Sequence, residues 1–288
     1  MKKPIIQKLA IIGVGLMGGS LALSLKNGGY VGEVIGIGRG IENLRNAFNL
    51  GIIDKYTQNL KDGVIDADVI VVAIPVESIV DIIDKAQTFM KDGAIITDVG
   101  SVKGEIVKNV DKILDSRLAF VGGHPVAGTE KSGADAAFST LYKGSKCILT
   151  PSKSTKGEAL EKIKLMWEKT GAEVIVMSTE DHDKILAAIS HLPHMIAYSL
   201  VNTVDGIDDF DESIINYSAG GFKDFTRIAS SSPEMWRDIC SMNKTAIVDM
   251  IDRYMKELSQ LKTLIEEDSH NEILDLFSKS KKARDSLG

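Results

Sequence analysis

The segment Gly122-Gly123-His124-Pro125-Val126-Ala127-Gly128-Thr129-Glu130-Lys131 sets an imidazole between a diglycine and a proline, which restricts its backbone. An imidazole with a pKa of about 6.5 accepts a proton at neutral pH, so His124 is a candidate general base. A histidine that only fills a turn would read the same way. A second polar group, Thr97-Asp98-Val99-Gly100-Ser101-Val102-Lys103, follows a β-branched run. It is either a ligand site beyond a strand's C-terminal end or a helix start capped by Ser101 or Asp98. The third group comprises Asp181-His182-Asp183, Ser190-His191-Leu192-Pro193-His194, the stretch from Gly220 to Arg227 with Lys223 in it, and Trp236. His191 and His194 share a helix face, but no Cys or flanking Glu completes a metal site, and no metal is expected. An anionic substrate suits this group better, because Arg227 offers a fork for a carboxylate.

Nucleotide chemistry is expected near the start. Leu9-Ala-Ile-Ile-Gly13-Val-Gly15-Leu16-Met17-Gly18 places G-x-G-x-x-G between a strand and a helix. In that context Gly13 permits the turn, Gly15 admits a pyrophosphate and Gly18 lets helix and strand pack closely. Leu16, Met17, Ile74, Pro75 and Asp98 complete the expected cofactor contacts. The acidic residue that would hold the ribose of NAD about 20 residues further on is replaced by Gly38-Arg39. A guanidinium can pair with a 2′-phosphate, or Arg39 can stack on the adenine of plain NAD. The cofactor is therefore NADP or NAD, with a slight lean to NADP.

The elements that must position these groups alternate up to about residue 178. Candidate strands are Leu9 to Ile12, Val34 to Ile37, Val69 to Ile74, Ala94 to Asp98, Leu118 to Val121, Cys147 to Leu149 and Glu173 to Met177. Helical stretches between them indicate right-handed crossovers of a parallel sheet. Beyond Ser178 the strand signal disappears, with a loop expected around Ser218 to Gly221. The class is α/β: a Rossmann-like, mostly parallel sheet domain over 1–178, followed by an all-helical domain over 179–288. From Pro233 no Pro or Gly interrupts the chain before Gly288, and Ile247, Ile251, Tyr254, Leu258, Leu261 and Ile265 form a heptad seam. Such a seam packs on its own domain or on a second copy. A net charge of −6 argues against a nucleic-acid partner. No apolar run of about 20 residues stands out as a membrane span, and two cysteines make no disulfide framework, so a cytoplasmic protein is expected.

The combination GVGLMGGS, DVGSVK, GGHPVAGTEKSG, SHLPH and GGFKDFTRIASSSPEMW resembles, in order and spacing, the prephenate dehydrogenase family of tyrosine biosynthesis. The resemblance implies oxidation of prephenate, or of its amino analogue arogenate, with NAD or NADP and loss of carbon dioxide. It assigns His124 to the substrate 4-hydroxyl, Ser101 to orienting hydroxyl and imidazole, and Arg227 to a substrate carboxylate. His191, His194, Lys223, Glu130 and Trp236 would complete or gate the pocket. It further implies a homodimer through the helical domain. β-Hydroxyacid dehydrogenases share the glycine motif but use a lysine of the helical domain. An NADP-binding sensor would share the glycines without needing the histidines or Arg227.

Overall fold

The computed structural model describes residues 3–129, 131–207 and 213–287. Strands β1 (Ile6–Ile12), β2 (Val31–Ile37), β3 (Lys55–Thr57), β4 (Val69–Val72), β5 (Ile95–Asp98), β6 (Ala119–Val126), β7 (Lys146–Thr150) and β8 (Glu173–Val176) form one sheet in the order β3-β2-β1-β4-β5-β6-β7-β8. Every neighbouring pair is parallel except β6 and β7, as a mostly parallel sheet requires.

Alternation along the strands divides the sheet's contacts between two layers. Leu9, Ile11, Val69 and Val71 pack with α1 (Leu16–Asn27), α2 (Ile41–Asn49) and α6 (Gly157–Glu168). Ala10, Ile12, Ile70 and Val72 pack with α3 (Leu60–Val64), α4 (Ile79–Gln87) and α5 (Gly104–Ile113) on the other face. Burial on both faces explains the unbroken apolar run before Pro75.

The chain winds outward from β1 to β3 and then returns to β4, so the order reverses between β1 and β4. A crevice opens there beyond the strand ends. Gly13 has φ +97° and packs against the backbone of Ala73, across that reversal.

β6 runs five residues past its expected end and changes partner as it does so. Residues 119–121 pair parallel with β5, and residues 122–126 pair antiparallel with β7, His124 opposite Ile148. His124 is therefore a strand residue and not part of a turn. The two glycines before it serve close packing: a Cβ on Gly123 would lie 2.8 Å from the Asp98 carbonyl oxygen, and one on Gly122 2.9 Å from Val107. The three-residue β3 was not anticipated, because a stretch so short shows no alternation.

After β8 the described chain is helical: α7 (Thr179–Leu186), a π-helical turn (Ala187–His191), α8 (Leu192–Asp205), α9 (Gly220–Thr226), α10 (Pro233–Met242), α11 (Lys244–Glu266) and α12 (His270–Asp285). The stretch without Pro or Gly is broken at Asn243 and again at Asp268, which has φ 51°. Its seam is buried at Ile247 but open further on, with Leu258 52% and Ile265 57% exposed. The run Thr179–Asp205 is, by length and composition, apolar enough to cross a membrane, which amends the expectation from sequence. In the fold it carries His182 and His191, both buried, against the sheet half. The helical half has a small core of Val102, Ala187, Trp236, Ile239 and Ile247. Val102 comes from the loop before α5, so the sheet half inserts a side chain into it, worth roughly 1.5–2 kcal/mol of burial.

Gly13→Ala is expected to cost at least about 2 kcal/mol through its positive φ and the collision with Ala73, lowering Tm by roughly 5 °C in a thermal melt. An unchanged Tm would mean that this turn is not under strain.

Candidate active site

The glycine turn provides a phosphate cradle of the right shape. A Cβ on Gly13 would collide with the Ala73 carbonyl oxygen and one on Gly18 with the Gly13 carbonyl oxygen, while one on Gly15 would meet nothing within 4 Å. Two glycines are thus required by packing, and the third leaves an open approach to the N-terminus of α1, where helix N–H groups lack intrahelical partners. These residues fit a dinucleotide. Asn43 fixes the turn by donating to the Val14 carbonyl at 2.8 Å, and the Met17 carbonyl accepts from the Tyr142 hydroxyl at 2.6 Å. Leu16 is buried, Ile74 half-buried, and Pro75 and Arg39 exposed. The Gln58 side chain donates to the Arg39 carbonyl at 2.6 Å and so holds the end of β2.

Asp98, expected among the cofactor contacts, ends β5. It is fully buried and its oxygens are occupied: Oδ1 accepts from Gly123 N at 3.0 Å, and Oδ2 from Gly100 N at 2.9 Å and from Lys103 Nζ. Lys103, equally buried, also donates to the Gly123 carbonyl at 2.9 Å. Burial pushes the Lys103 ammonium down and Asp98 opposes the shift. The pair grips both polar groups of Gly123, the residue before His124. Removing one partner of such a pair leaves an uncompensated buried charge and is strongly destabilising.

Half-buried Ser101 sits in the same loop, but neither it nor Asp98 caps α5. That function falls to Asp183 of α7, which accepts from Lys103 N at 2.9 Å and Gly104 N at 2.8 Å.

His124, His182, His191 and His194, out of five histidines in the chain, gather where the two halves meet. His124 Nδ1 is 2.8 Å from His182 Nε2, and His182 Nδ1 is 2.7 Å from Asp183 Oδ1. Asn243 Nδ2 donates to the Asp183 carbonyl at 2.9 Å and to His191 Nδ1 at 3.2 Å. The π-helical turn ends on His191, whose ring meets Trp236 edge-on at 5.8 Å. His194 stacks on the same indole at 3.9 Å and donates from Nδ1 to the Ser190 carbonyl at 2.8 Å. The Arg227 guanidinium lies near enough to help depress His194. Arg227 and Lys223 are both exposed, at the end and middle of α9.

A path of direct contacts thus joins His124 of the sheet to Trp236 and His194 of the helices, with Arg227 beside the last. Glu130 lies outside the described residues.

Burial dominates the electrostatics of these rings. It pushes His124 well below 6.5, helped by His182, Lys103 and His191, and takes His191 down to about 4. His182 and His194 are lowered for the same reason. The rings are therefore neutral at pH 7. Sequence reasoning missed Asn243 and gave no role to Lys103, His182 or Asp183, which it had placed in polar clusters. The Asp-His-Asp triplet was visible as a polar cluster, but nothing in it pointed to the histidine of a distant strand.

Residues 21–176 match the model of the prephenate dehydrogenase nucleotide-binding domain, and residues 178–279 that of the prephenate dehydrogenase dimerization domain. The chain belongs to the prephenate dehydrogenase family. Prephenate dehydrogenase of Bacillus subtilis (strain 168) is 38% identical over 280 residues, spanning 97% of this chain and 76% of the relative. Cyclohexadienyl dehydrogenase of Zymomonas mobilis is 36% identical over 285 residues, covering 97% and 96% of the two chains. The crystal structure of prephenate dehydrogenase from A. aeolicus, in complex with hydroxyphenyl propionate and NAD+, superposes with a TM-score of 0.93 at 40% identity, covering 98% of each chain. As a prephenate dehydrogenase family member the chain is an oxidoreductase with an NAD(P)-binding domain.

The lowered histidines link stability of this family member to pH. Below pH 6.5 the unfolded chain takes up protons that the folded site refuses, so stability falls with pH across the window from 6.5 to about 4. For His191 alone the loss reaches roughly 3 kcal/mol. Urea midpoints at pH 7.5, 6 and 5 should fall in that order, more gently for His191→Gln. A midpoint flat across that range would mean that the folded site accepts the protons.

Proposed function

We propose that this protein catalyses oxidative decarboxylation of prephenate to 4-hydroxyphenylpyruvate, in tyrosine biosynthesis, with NAD or NADP as hydride acceptor. The observation that carries the reading is the path of contacts from His124 through His182, Asp183, Asn243, His191 and Trp236 to His194, with Arg227 beside it. It supports a reading in which a neutral proton acceptor and a carboxylate-binding cation act on one small dianion. When bound, the nicotinamide accepts the hydride from the ring carbon that bears the hydroxyl. His124 takes the hydroxyl proton, Ser101 orients hydroxyl and imidazole, and Arg227 holds a substrate carboxylate. His191, His194, Lys223, Glu130 and Trp236 are the residues proposed to complete or gate the pocket.

A buried imidazole is a weaker base than a free one, and the chemistry tolerates that. The ketone forming on the ring draws electrons from the bond to the ring carboxylate, and loss of carbon dioxide restores aromaticity. Gly13, Gly15, Leu16, Met17, Gly18, Ile74 and Pro75 hold the dinucleotide. Arg39 favours a 2′-phosphate and hence NADP, whereas the A. aeolicus structure holds NAD+. Arogenate is the second substrate, a reading supported by identity to a cyclohexadienyl dehydrogenase over nearly the whole chain.

A homodimer through the helical domain belongs to the same reading. It is supported by the exposed stripe of Tyr254, Leu258 and Ile265 on α11, with Leu274 and Phe277 on α12. The two free thiols, Cys147 and Cys240, fit a cytoplasmic location.

Steady-state rates with prephenate and arogenate, each with NAD and NADP, test the assignment. No turnover in any of the four combinations would reject it. His124→Ala is expected to lower kcat by roughly 10² to 10⁴ with NADH binding intact, whereas Arg227→Ala is expected to raise KM about ten- to a hundredfold. Unchanged kcat in the first, or unchanged KM in the second, would remove that residue from its role.

A further inference from the structure

His182 differs from the other rings of the cluster in having both nitrogens bonded to side chains, Nδ1 to Asp183 Oδ1 and Nε2 to His124 Nδ1. Each bond holds one proton, and the far end of the chain decides which atom owns it. Asp183 is ionised: its bonds from His182 and from the Lys103 and Gly104 N–H groups outweigh burial and keep the carboxyl below the usual range. A carboxylate only accepts, so His182 carries its proton on Nδ1 and presents a lone pair at Nε2. His124 must then donate from Nδ1, the reverse of the tautomer that free histidine favours in water. Its Nε2 is left bare and makes no hydrogen bond among the described residues.

We propose that His182 is a positioning residue that locks His124 in the Nδ1–H tautomer, so that the bare Nε2 is offered to the substrate hydroxyl, with Asp183 anchoring the chain. This rests on the reading of His124 as proton acceptor. As the hydride departs with the C–H electron pair, the O–H bond breaks. Its electron pair forms the C=O, and its proton binds the lone pair on Nε2. The imidazolium keeps Nδ1–H directed at His182, whose other nitrogen faces the Asp183 carboxylate.

The remaining groups around His124 do not substitute for this support. Lys103 is neutralised by Asp98, His191 is uncharged, and burial keeps the Cys147 thiol protonated. Asp183 could cap α5 without His182, so capping alone does not require an imidazole at this position.

Two measurements on the full-length protein test the proposal. In ¹⁵N-histidine NMR at pH 7.5, with signals assigned through His124→Asn and His182→Gln, both His124 and His182 are expected to be protonated at Nδ1 and bare at Nε2. A proton on Nε2 of His124 would overturn the proposal. In kinetics, His182→Leu should lower kcat about 10- to 1000-fold, with KM for prephenate and Kd for NADH within about twofold. The acid limb of kcat/KM should move to lower pH, because the support for the imidazolium is gone.

His182→Gln, whose carbonyl can accept from Nδ1 and whose amide can donate to Asp183, should recover most of the rate and return the limb. Wild-type kcat in the Leu variant, or no recovery in the Gln variant, would overturn the assignment, as would loss of NADH binding in step with kcat. The NMR measurement needs no substrate, so it is decided separately from the activity. An inactive wild-type protein with the expected tautomer would sink the functional reading alone.

Discussion

The two halves of the molecule meet on the carboxylate of Asp183. It stands on a helix of the second half, yet it accepts the N–H groups of Lys103 and Gly104 at the start of α5 and the Nδ1 proton of His182. A charge this enclosed is tolerated because every bond it makes is charge-assisted. The same group therefore closes a helix end, joins the halves and orders the ring beside His124. Asn243 bonds the backbone carbonyl of that residue and the ring of His191, which extends the arrangement to the helix break between α10 and α11. A buried charge pair, Asp98 with Lys103, fixes the strand residue next to His124.

These fixed charges explain how so many uncharged rings can gather in one place. His124, His182 and His191 are buried beside one another or beside Lys103, and protonating any of them would set like charges together in a poorly solvated place. Formal positive charge is left to Arg227 and Lys223 at the exposed side. The interior thus offers hydrogen bonds of defined direction, while the cationic side chains of Arg227 and Lys223 lie exposed.

Much of this was legible in the sequence where a local rule operates. The glycine turn is legible because backbone contact at Gly13 and Gly18 forbids a side chain. The central strands are legible because burial on both faces demands an unbroken apolar run, as at Val69–Val72. The groups around His124, His191 and Arg227 stood out because polar residues there have no place in a core. Illegible were the features decided by distant partners. Asp98 read as a ligand contact because its bonds, to Lys103 in the following loop and to Gly123 on the neighbouring strand, leave no local pattern. The capping of α5 comes from a residue about eighty positions away. The break at Asn243 has no Gly or Pro to mark it, since the bonds that favour it are made to Asp183 and His191. β6 overran its expected end because its last five residues are held by β7, not by their own pattern.

That change of partner within β6 limits how the site can evolve. Side chains of a strand alternate between faces, so removing or adding one residue between Val121 and His124 would leave a paired, apolar strand while turning the imidazole to the opposite layer. Close packing already restricts the residue types just before this ring to glycine, and the alternation of faces fixes the count of residues leading up to it as well.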